Sequence, residues 1–432
     1  MNNILHYLLH FLLGEDMPEE LIASIGYTSD RNKFEHYNLV IIPSGFFNET
    51  VYGTAASLPA LPLKEVEGVP LLFGSQKMEW VGDTWVVHAD LIASTYFMIT
   101  RYEEMVRRHV RDEHGRFLGK ESLPYRAGFL HRPIVDEYRR LIRRWLRQSR
   151  LQVPDIEQKI AHIYLTHDVD APFLYRSWKG MLRSFRQGRG VTSSIRGKFG
   201  LLENDPYYTF PWIFQQNSKL QNTLGQQYCE TLLFIRSGGK TRQDKPHYRL
   251  DGGDMQQLIK EAVNHQVKIG LHASYQSGIN PTFLLDEKKK LEKHTGRNIC
   301  YNRHHYLSLR EPEDTDLLEA IGITDDFTMG YADVAGFRLG TSYPVRWINP
   351  ITRRLSPLRL HPLVIMDCSL SENKYMGLDY NEAGTYCSRL ISQVKSVGGE
   401  LVLLWHNTSF VEATGNYQQK LYIQLQKELE KI

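Results

Sequence analysis

The apolar residues of this chain change their spacing about a third of the way along. Before that point, short apolar runs stand between turn residues. Residues 38–42 are closed by Pro43, Ser44 and Gly45, and residues 70–73 and 84–88 form similar runs, so each is predicted to be a strand. Residues 91–104 suit a helix. Val135, Tyr138, Leu141, Ile142, Trp145 and Leu146 fall at helical spacing and predict an amphipathic helix over 134–148. Its other face carries Arg139, Arg140, Arg143, Arg144 and Arg147, either a solvated side or an anion-binding surface. Pro154, within the polar stretch 149–155, marks a boundary. The chain thus divides into a mixed α/β domain over 1–152 and a second domain over 153–432.

From residue 160 onward, strand-like runs alternate with helix-like ones. Strands are predicted at 161–165, 228–235, 267–272, 298–306, 322–327, 362–366 and 400–405, and helices at 254–265, 282–294, 313–320 and 380–396. This alternation predicts parallel strands with crossover helices, in a β/α barrel or a doubly wound sheet. In both architectures chemistry gathers at the C-terminal ends of the strands.

Those ends are rich in residues of catalytic type. They read Thr166-His167-Asp168-Val169-Asp170, His272-Ala273-Ser274-Tyr275, Arg303-His304-His305-Tyr306, Asp325-Asp326, Asp367 and Trp405-His406-Asn407. A single such residue is usually a cap; a succession at one end of one sheet points to a site. Strand alternation puts Asp168 and Asp170 on one face. One carboxylate can then ligate a cation while the other stays free as a base. His272 and a histidine from the 304–305 pair could complete a facial three-ligand site, a set that suits zinc and other divalent ions. Arg303 could hold Asp168 ionised. His406 is the candidate general acid, with a buried aspartate orienting its ring.

Composition narrows the class. The 432 residues are 42% hydrophobic and 23% charged, as in a soluble globular protein. A net charge of +3 gives no global field for nucleic acid. The four cysteines form no Cys-x-x-Cys pair, which suits free thiols in a reducing compartment. The apolar stretch 4–13 is interrupted by His6 and His10, has no basic start and is followed by Glu15 and Asp16, so it predicts a helix rather than a signal peptide. No apolar run reaches the roughly 18 residues of a membrane span, and a cytoplasmic protein without stable membrane insertion is predicted.

Residues 175–200 carry Arg176, Lys179, Arg183, Arg186, Arg189, Arg196 and Lys198 and no acid. This is either a surface insertion or a cover gripping an anionic substrate, such as an acidic polysaccharide or a lipid-diphosphate-linked sugar. Sparse aromatics argue against nucleic acid. Gly336-Phe337-Arg338-Leu339-Gly340-Thr341 lacks the lysine and helix of a phosphate loop and is predicted to be a turn beside the site, with Arg338 touching substrate. His361 is predicted to be structural. The absence of a Gly-x-Ser-x-Gly elbow leaves a serine hydrolase unsupported.

Taken in order, these motifs resemble the polysaccharide deacetylases of carbohydrate esterase family four, the NodB-homology group. The likeness covers roughly residues 160–410 and is closest to long Bacteroidetes members with an extra N-terminal domain. It includes Gly270-Leu271-His272-Ala273-Ser274-Tyr275, Asp326-Phe327-Thr328-Met329-Gly330-Tyr331 and Leu404-Trp405-His406-Asn407. The resemblance implies a distorted (β/α) barrel and metal-assisted removal of an N-acetyl, less readily an O-acetyl, group from a sugar, using one divalent ion such as zinc, cobalt or nickel. Position by position it implies Asp168 as base, Asp170 and His272 as ligands, Arg303 as the support of the base and His406 as acid. Val169 separates aspartates that are usually adjacent in the family. The family's second motif, His-x-x-x-His, has Gln276 where the second histidine belongs. His305 is then the expected third ligand, with His304 or His167 as alternatives. The aspartate pairing with His406 is Asp326 or, second, Asp367. Tyr306 and Trp405 would touch substrate, Trp405 as a wall for the acetyl methyl and Tyr306 beside a backbone N–H facing the oxyanion. The rival readings are a non-catalytic sugar-binding relative and a metal hydrolase acting on a linear amide or nucleotide. The roles open to the N-terminal domain are glycan binding, homodimerisation and shielding of the barrel.

Overall fold

A computed structural model describes residues 2–176, 191–411 and 416–431. Much of the basic segment at 175–200, including Lys179, Arg183, Arg186 and Arg189, lies outside the described residues.

The first third builds a four-stranded sheet in the order β1-β2-β6-β5: β1 is Ile25–Tyr27, β2 Leu39–Ile41, β5 Gly74–Val81 and β6 Thr84–Ala89. The pairings β1/β2 and β2/β6 are parallel and β5/β6 is antiparallel. A separate ribbon pairs β3 (Lys64–Val66) with β4 (Val69–Leu71). The predicted helix over 91–104 is broken into Leu91–Ile99 and Tyr102–Val106. The break falls at Arg101, in the left-handed region at φ 58°. There its guanidinium reaches Glu104 Oε2 at 2.6 Å and the Leu309 carbonyl at 3.0 Å, so long-range bonds override local helix propensity.

The helix Ile134–Gln148 has the predicted limits, but its arginines do not form a free basic face. Arg139 is buried over the Tyr343 ring at 3.7 Å. Arg143 donates to the Pro154 carbonyl at 2.7 Å, and Arg140 to that of Ser396. Arg147 pairs with Asp155 and Arg144 with Glu67. Arg139, Arg140 and Arg143 thus hold the helix against the rest of the chain, while Arg144 and Arg147 stay exposed, as a solvated side would.

The remaining strands form one nine-stranded sheet, in the order β12-β13-β11-β10-β9-β8-β7-β15-β14. They are β7 (His162–Val169), β8 (Cys229–Ile235), β9 (Lys268–Ala273), β10 (Tyr301–His304), β11 (Asp325–Asp326), β12 (Val345–Ile348), β13 (Leu355–Leu360), β14 (Leu363–Met366) and β15 (Glu400–Leu404). Each neighbouring pair is parallel except β12/β13. Helices Phe210–Leu224, Gly253–Asn264, Leu284–Thr295 and Tyr380–Val397 lie between strands in the chain, so the expected α/β alternation is present. Because the strands run the same way, Asp168, His272 and Arg303 sit near the ends of β7, β9 and β10 on a common edge, with Asp367 and His406 just beyond β14 and β15. The register sets Arg303 directly beside His272.

His361, between β13 and β14, is structural as predicted. Its ring stacks on Phe327 with centroids 4.4 Å apart, and its nitrogens meet Glu400 at 2.9 Å and Asp325 at 3.0 Å. Burial disfavours its charge, but Glu400 and Asp325 outweigh burial and push its pKa up to about 9. Its ionic stabilisation is therefore complete below the ordinary histidine pKa of about 6.5 and is lost as pH rises from there through about 9. We expect the unfolding free energy, read from denaturant titrations, to fall across that window by on the order of 3 kcal/mol at most, and His361→Gln to flatten the fall. Parallel pH profiles for the two proteins would refute this.

Candidate functional site

Asp170 is the point on which the site converges. Its Oδ1 lies 3.0 Å from His272 Nε2 and 3.2 Å from His305 Nε2. One ligand-type atom from each of the three residues lies within 4.8 Å of the others. The structure thus brings these three predicted ligands together. His272 Nδ1 faces the Arg303 carbonyl at 3.0 Å, so Nδ1 donates there and Nε2 is left with its lone pair toward Asp170. A carboxylate oxygen and an imidazole lone pair at 3.0 Å need a cation between them, a proton or a metal ion. Two ligands about 2.1 Å from one tetrahedral ion stand about 3.4 Å apart, so a small adjustment of these side chains would admit such an ion. Burial opposes charge on Asp170, but His305, His272 and His406 hold its carboxyl well below the usual range. For His305, burial is likewise outweighed by Asp170 and Asp244, which raise its pKa.

Asp168 stands beside this group, its Oδ2 3.8 Å from His272 Nε2. Its Oδ1 receives Arg303 Nη1 at 3.0 Å. Arg303 is fully buried, donates also to Thr166 Oγ1 at 2.7 Å and to the Phe327 carbonyl at 3.0 Å, and lies over the Phe234 ring. On the other side His406 Nε2 is 3.6 Å from Asp170 Oδ2.

Asp367, not Asp326, is the partner of His406. Asp367 Oδ1 meets His406 Nδ1 at 2.9 Å and Oδ2 accepts the His406 N–H at 2.8 Å. Against burial, Asp367 raises the pKa of His406 well above the histidine value. Asp326 is engaged with Asn302 at 2.7 Å and with the hydroxyl and N–H of Thr328 at 2.7 and 3.0 Å. The reason lies in sheet order: β14 is hydrogen-bonded to β15, whereas β11 lies beyond β7, β8, β9 and β10.

Two predicted substrate contacts are also corrected. Arg338 is buried in a two-bond pair with Glu104, at 2.9 and 2.8 Å, and donates to the Gly330 carbonyl; it does not line the cavity. Trp405 packs on Tyr422 with centroids 5.3 Å apart, on the opposite face from the cavity that Leu404 and His406 line. Tyr306 does line that cavity. The two alternative ligands sit elsewhere: His167 bonds the Trp405 carbonyl and Asn217, and His304 bonds Asn302. Burial depresses both, to about 4 and about 3. Gln276 turns from the site and accepts the Lys240 N–H at 2.9 Å.

The cavity measures about 250 Å³. Asp168, Asp170, His305 and His406 supply polar lining and Leu307, Ala332, Met366 and Leu404 apolar lining; Arg116, Lys245, Lys374 and Glu372 also line it, with Arg116 paired to Asp112 and Lys374 to Glu372. Sequence reasoning missed Asp244, Arg236 and Arg116. Asp244 Oδ1 is 3.6 Å from His305 Nδ1, and Arg236 donates to the Asp170 carbonyl at 3.2 Å. Asp244 and Arg116 lie in loops without a motif, and Arg236 directly follows β8, the one strand end in this region that carried no predicted site residue.

A model of a family of unknown function, DUF7033, matches residues 2–150. Curated proteins give no match to this chain. Among solved structures, the chain is similar to a Mycobacterium smegmatis protein provisionally described as a polysaccharide deacetylase. That similarity is 13% in sequence, with a TM-score of 0.38, over 64% of this chain and 86% of the other.

Two further groups of ligand-type residues occur among the described residues. Asp367, Cys368 and His406 form one, but both Asp367 oxygens already accept hydrogen bonds and burial pushes the Cys368 thiol up to about 12, so no thiolate is on offer. His6, His10 and Glu19 form the other, at the exposed surface.

Metal content tests the site. In a His6→Ala background, which removes the exposed group, the chain should retain about one divalent ion after dialysis. Asp170→Ala, His272→Ala and His305→Ala should each abolish retention, while Gln276→Ala keeps it. A parent chain that retains no zinc, cobalt or nickel would refute the assignment.

Proposed function

We propose that this protein is a metal-dependent deacetylase acting on an N-acetylated sugar. The observation that carries the reading is the arrangement around Asp170. Three ligand-type side chains converge, with an arginine-held carboxylate on one side and an aspartate-held imidazole on the other, over one small cavity. Hydrolysis of an amide needs a base for water and an acid for the leaving nitrogen, and these flanking groups have those two characters.

A divalent ion held by Asp170, His272 and His305 would polarise the acetyl carbonyl and make water more acidic. The rest is the work of the chain. Asp168 is fixed by Arg303, so its free Oδ2 keeps one orientation and can take a proton from water. His406 carries its proton with Asp367 behind it, and its Nε2 faces the cavity side of Asp170, where it can hand that proton to a departing amine. The apolar wall of Leu307, Ala332, Met366 and Leu404 suits an acetyl methyl. At about 250 Å³ the cavity is below the roughly 300–1,000 Å³ typical of sites for drug-sized ligands, so it suits one acetylated ring with the remainder of a glycan outside.

The chain loaded with zinc or cobalt should release acetate from N-acetylated amino-sugar glycans. Asp168→Asn, His406→Ala and Asp367→Asn should each lower kcat by about 10²- to 10⁴-fold while retaining the ion. Asp326→Asn should leave kcat per folded molecule near that of the parent and cost stability instead. Loss of activity in Asp326→Asn with Asp367→Asn unaffected would reverse the assignment. Sugar binding without acetate release under any metal would support the non-catalytic reading.

A further inference from the structure

We propose that the N-terminal third of the chain completes this site, with Arg116 and His114 acting as positioning residues that fix Tyr306 and, through it, His305. The inference rests on the deacetylase reading and adds to it a role for the region that the unknown-function family matches.

Residues 112–116 form a tight turn. Asp112 Oδ1 accepts the N–H groups of His114 and Arg116 at 2.9 and 2.8 Å, and Gly115 takes φ +74°. Arg116 is set by its own aspartate, with Nε and Nη2 at 2.8 and 2.7 Å from Asp112 Oδ2. Its guanidinium is thereby aimed out of the turn. Nη1 donates to the Tyr306 carbonyl at 2.9 Å and Nη2 reaches the Tyr375 hydroxyl at 3.3 Å. His114 packs its ring 4.8 Å from that of Tyr306 and places Nδ1 3.3 Å from the Tyr275 hydroxyl. One turn from the first third thus touches the residue next to His305 and the residue three beyond His272.

The backbone held in this way needs holding. Tyr306 and Leu307 are consecutive non-glycine residues in the left-handed region, at φ 61° and 53°. Such a conformation is strained for a non-glycine residue and persists only where its surroundings over-determine it. The Arg116 bond to the Tyr306 carbonyl is a constraint of that kind, and it comes from a segment about 190 residues away in sequence. The aim of His305 depends on this backbone. Arg116 itself lines the cavity, so the turn is also part of the site's wall.

The test uses the full-length chain, Arg116→Ala and His114→Ala, each loaded with Co2+. Arg116→Ala should keep its pocket ion but show an altered visible Co2+ spectrum. Its kcat should fall about 10- to 100-fold with KM changed only a few-fold, and millimolar guanidinium should restore part of the loss. His114→Ala should shift the same quantities less. A parental spectrum and kcat in Arg116→Ala, or a loss that only tracks its folded fraction, overturns the proposal. Should Arg116→Ala fail to fold, a parental spectrum and kcat in His114→Ala overturn it. If the parent chain binds Co2+ but releases no acetate, the deacetylase reading fails while the spectrum alone decides this one: a shift in the variants supports it and no shift overturns it.

Discussion

A guanidinium without access to solvent ties the strand ends together. Arg303 leaves β10 and crosses to β7, where it meets Thr166 and Asp168, while its Nε is held by the Phe327 carbonyl just past β11. A buried cation of this kind must be paired, and removing it from a buried carboxylate typically costs about 3–5 kcal/mol. The pair therefore fixes the relative height of β7 and β10. That height decides where Asp170 lies, two residues beyond Asp168, relative to His272 and His305. The same residue also acts through its main chain, since the Arg303 carbonyl accepts from His272 Nδ1 and turns the other imidazole nitrogen toward Asp170.

The opposite wall repeats the principle with the charges exchanged. Asp367 is buried, and it accepts two main-chain N–H groups, the Ser409 hydroxyl and the His406 ring. These bonds keep the carboxylate ionised against burial, and its charge keeps the imidazole protonated. One side of the site thus offers a carboxylate stabilised by a cation, and the other a cation stabilised by a carboxylate. Groups with such opposed surroundings do opposite proton work, which is why this geometry suits hydrolysis better than simple binding.

Much of this was legible in the sequence because parallel strands buried on both faces read as apolar runs, and their ends carry the chemistry. The predicted strands at 228–235, 267–272 and 400–405 match β8, β9 and β15 to within a residue or so. Less was legible where long-range contacts decide. Residues 298–306 read as one strand, yet β10 stops at His304 because the chain turns into the left-handed conformation at Tyr306. Strands β12 and β13 escaped notice because Arg346 interrupts the first and Ser356, Pro357 and Arg359 the second, and helix Phe210–Leu224 because Gln, Asn and Ser dilute its apolar face. Asp326 and Asp367 each end a strand, and only strand order separates them. Arg338 had the right type for a substrate contact, but its buried partner Glu104 lies 234 residues away.

In the proposed site, position 276 is where the chain departs from the motif it resembles. The helix Tyr275–Ile279 begins immediately after β9 and would carry a second histidine at 276. Here Gln276 instead closes the neighbouring loop through the Lys240 N–H, and the imidazole comes from the next strand over. His305 can reach Asp170 only because the chain bends sharply after β10; a strand continuing straight would carry residue 305 onward along β10. The replacement thus shifts the demand from side-chain identity at 276 to backbone conformation at 306 and 307. A ligand placed by a strained turn needs external support, and the turn from the N-terminal third is positioned to give it. This connects two features of the chain: glutamine at position 276, and a turn from the first third packed beside the cavity.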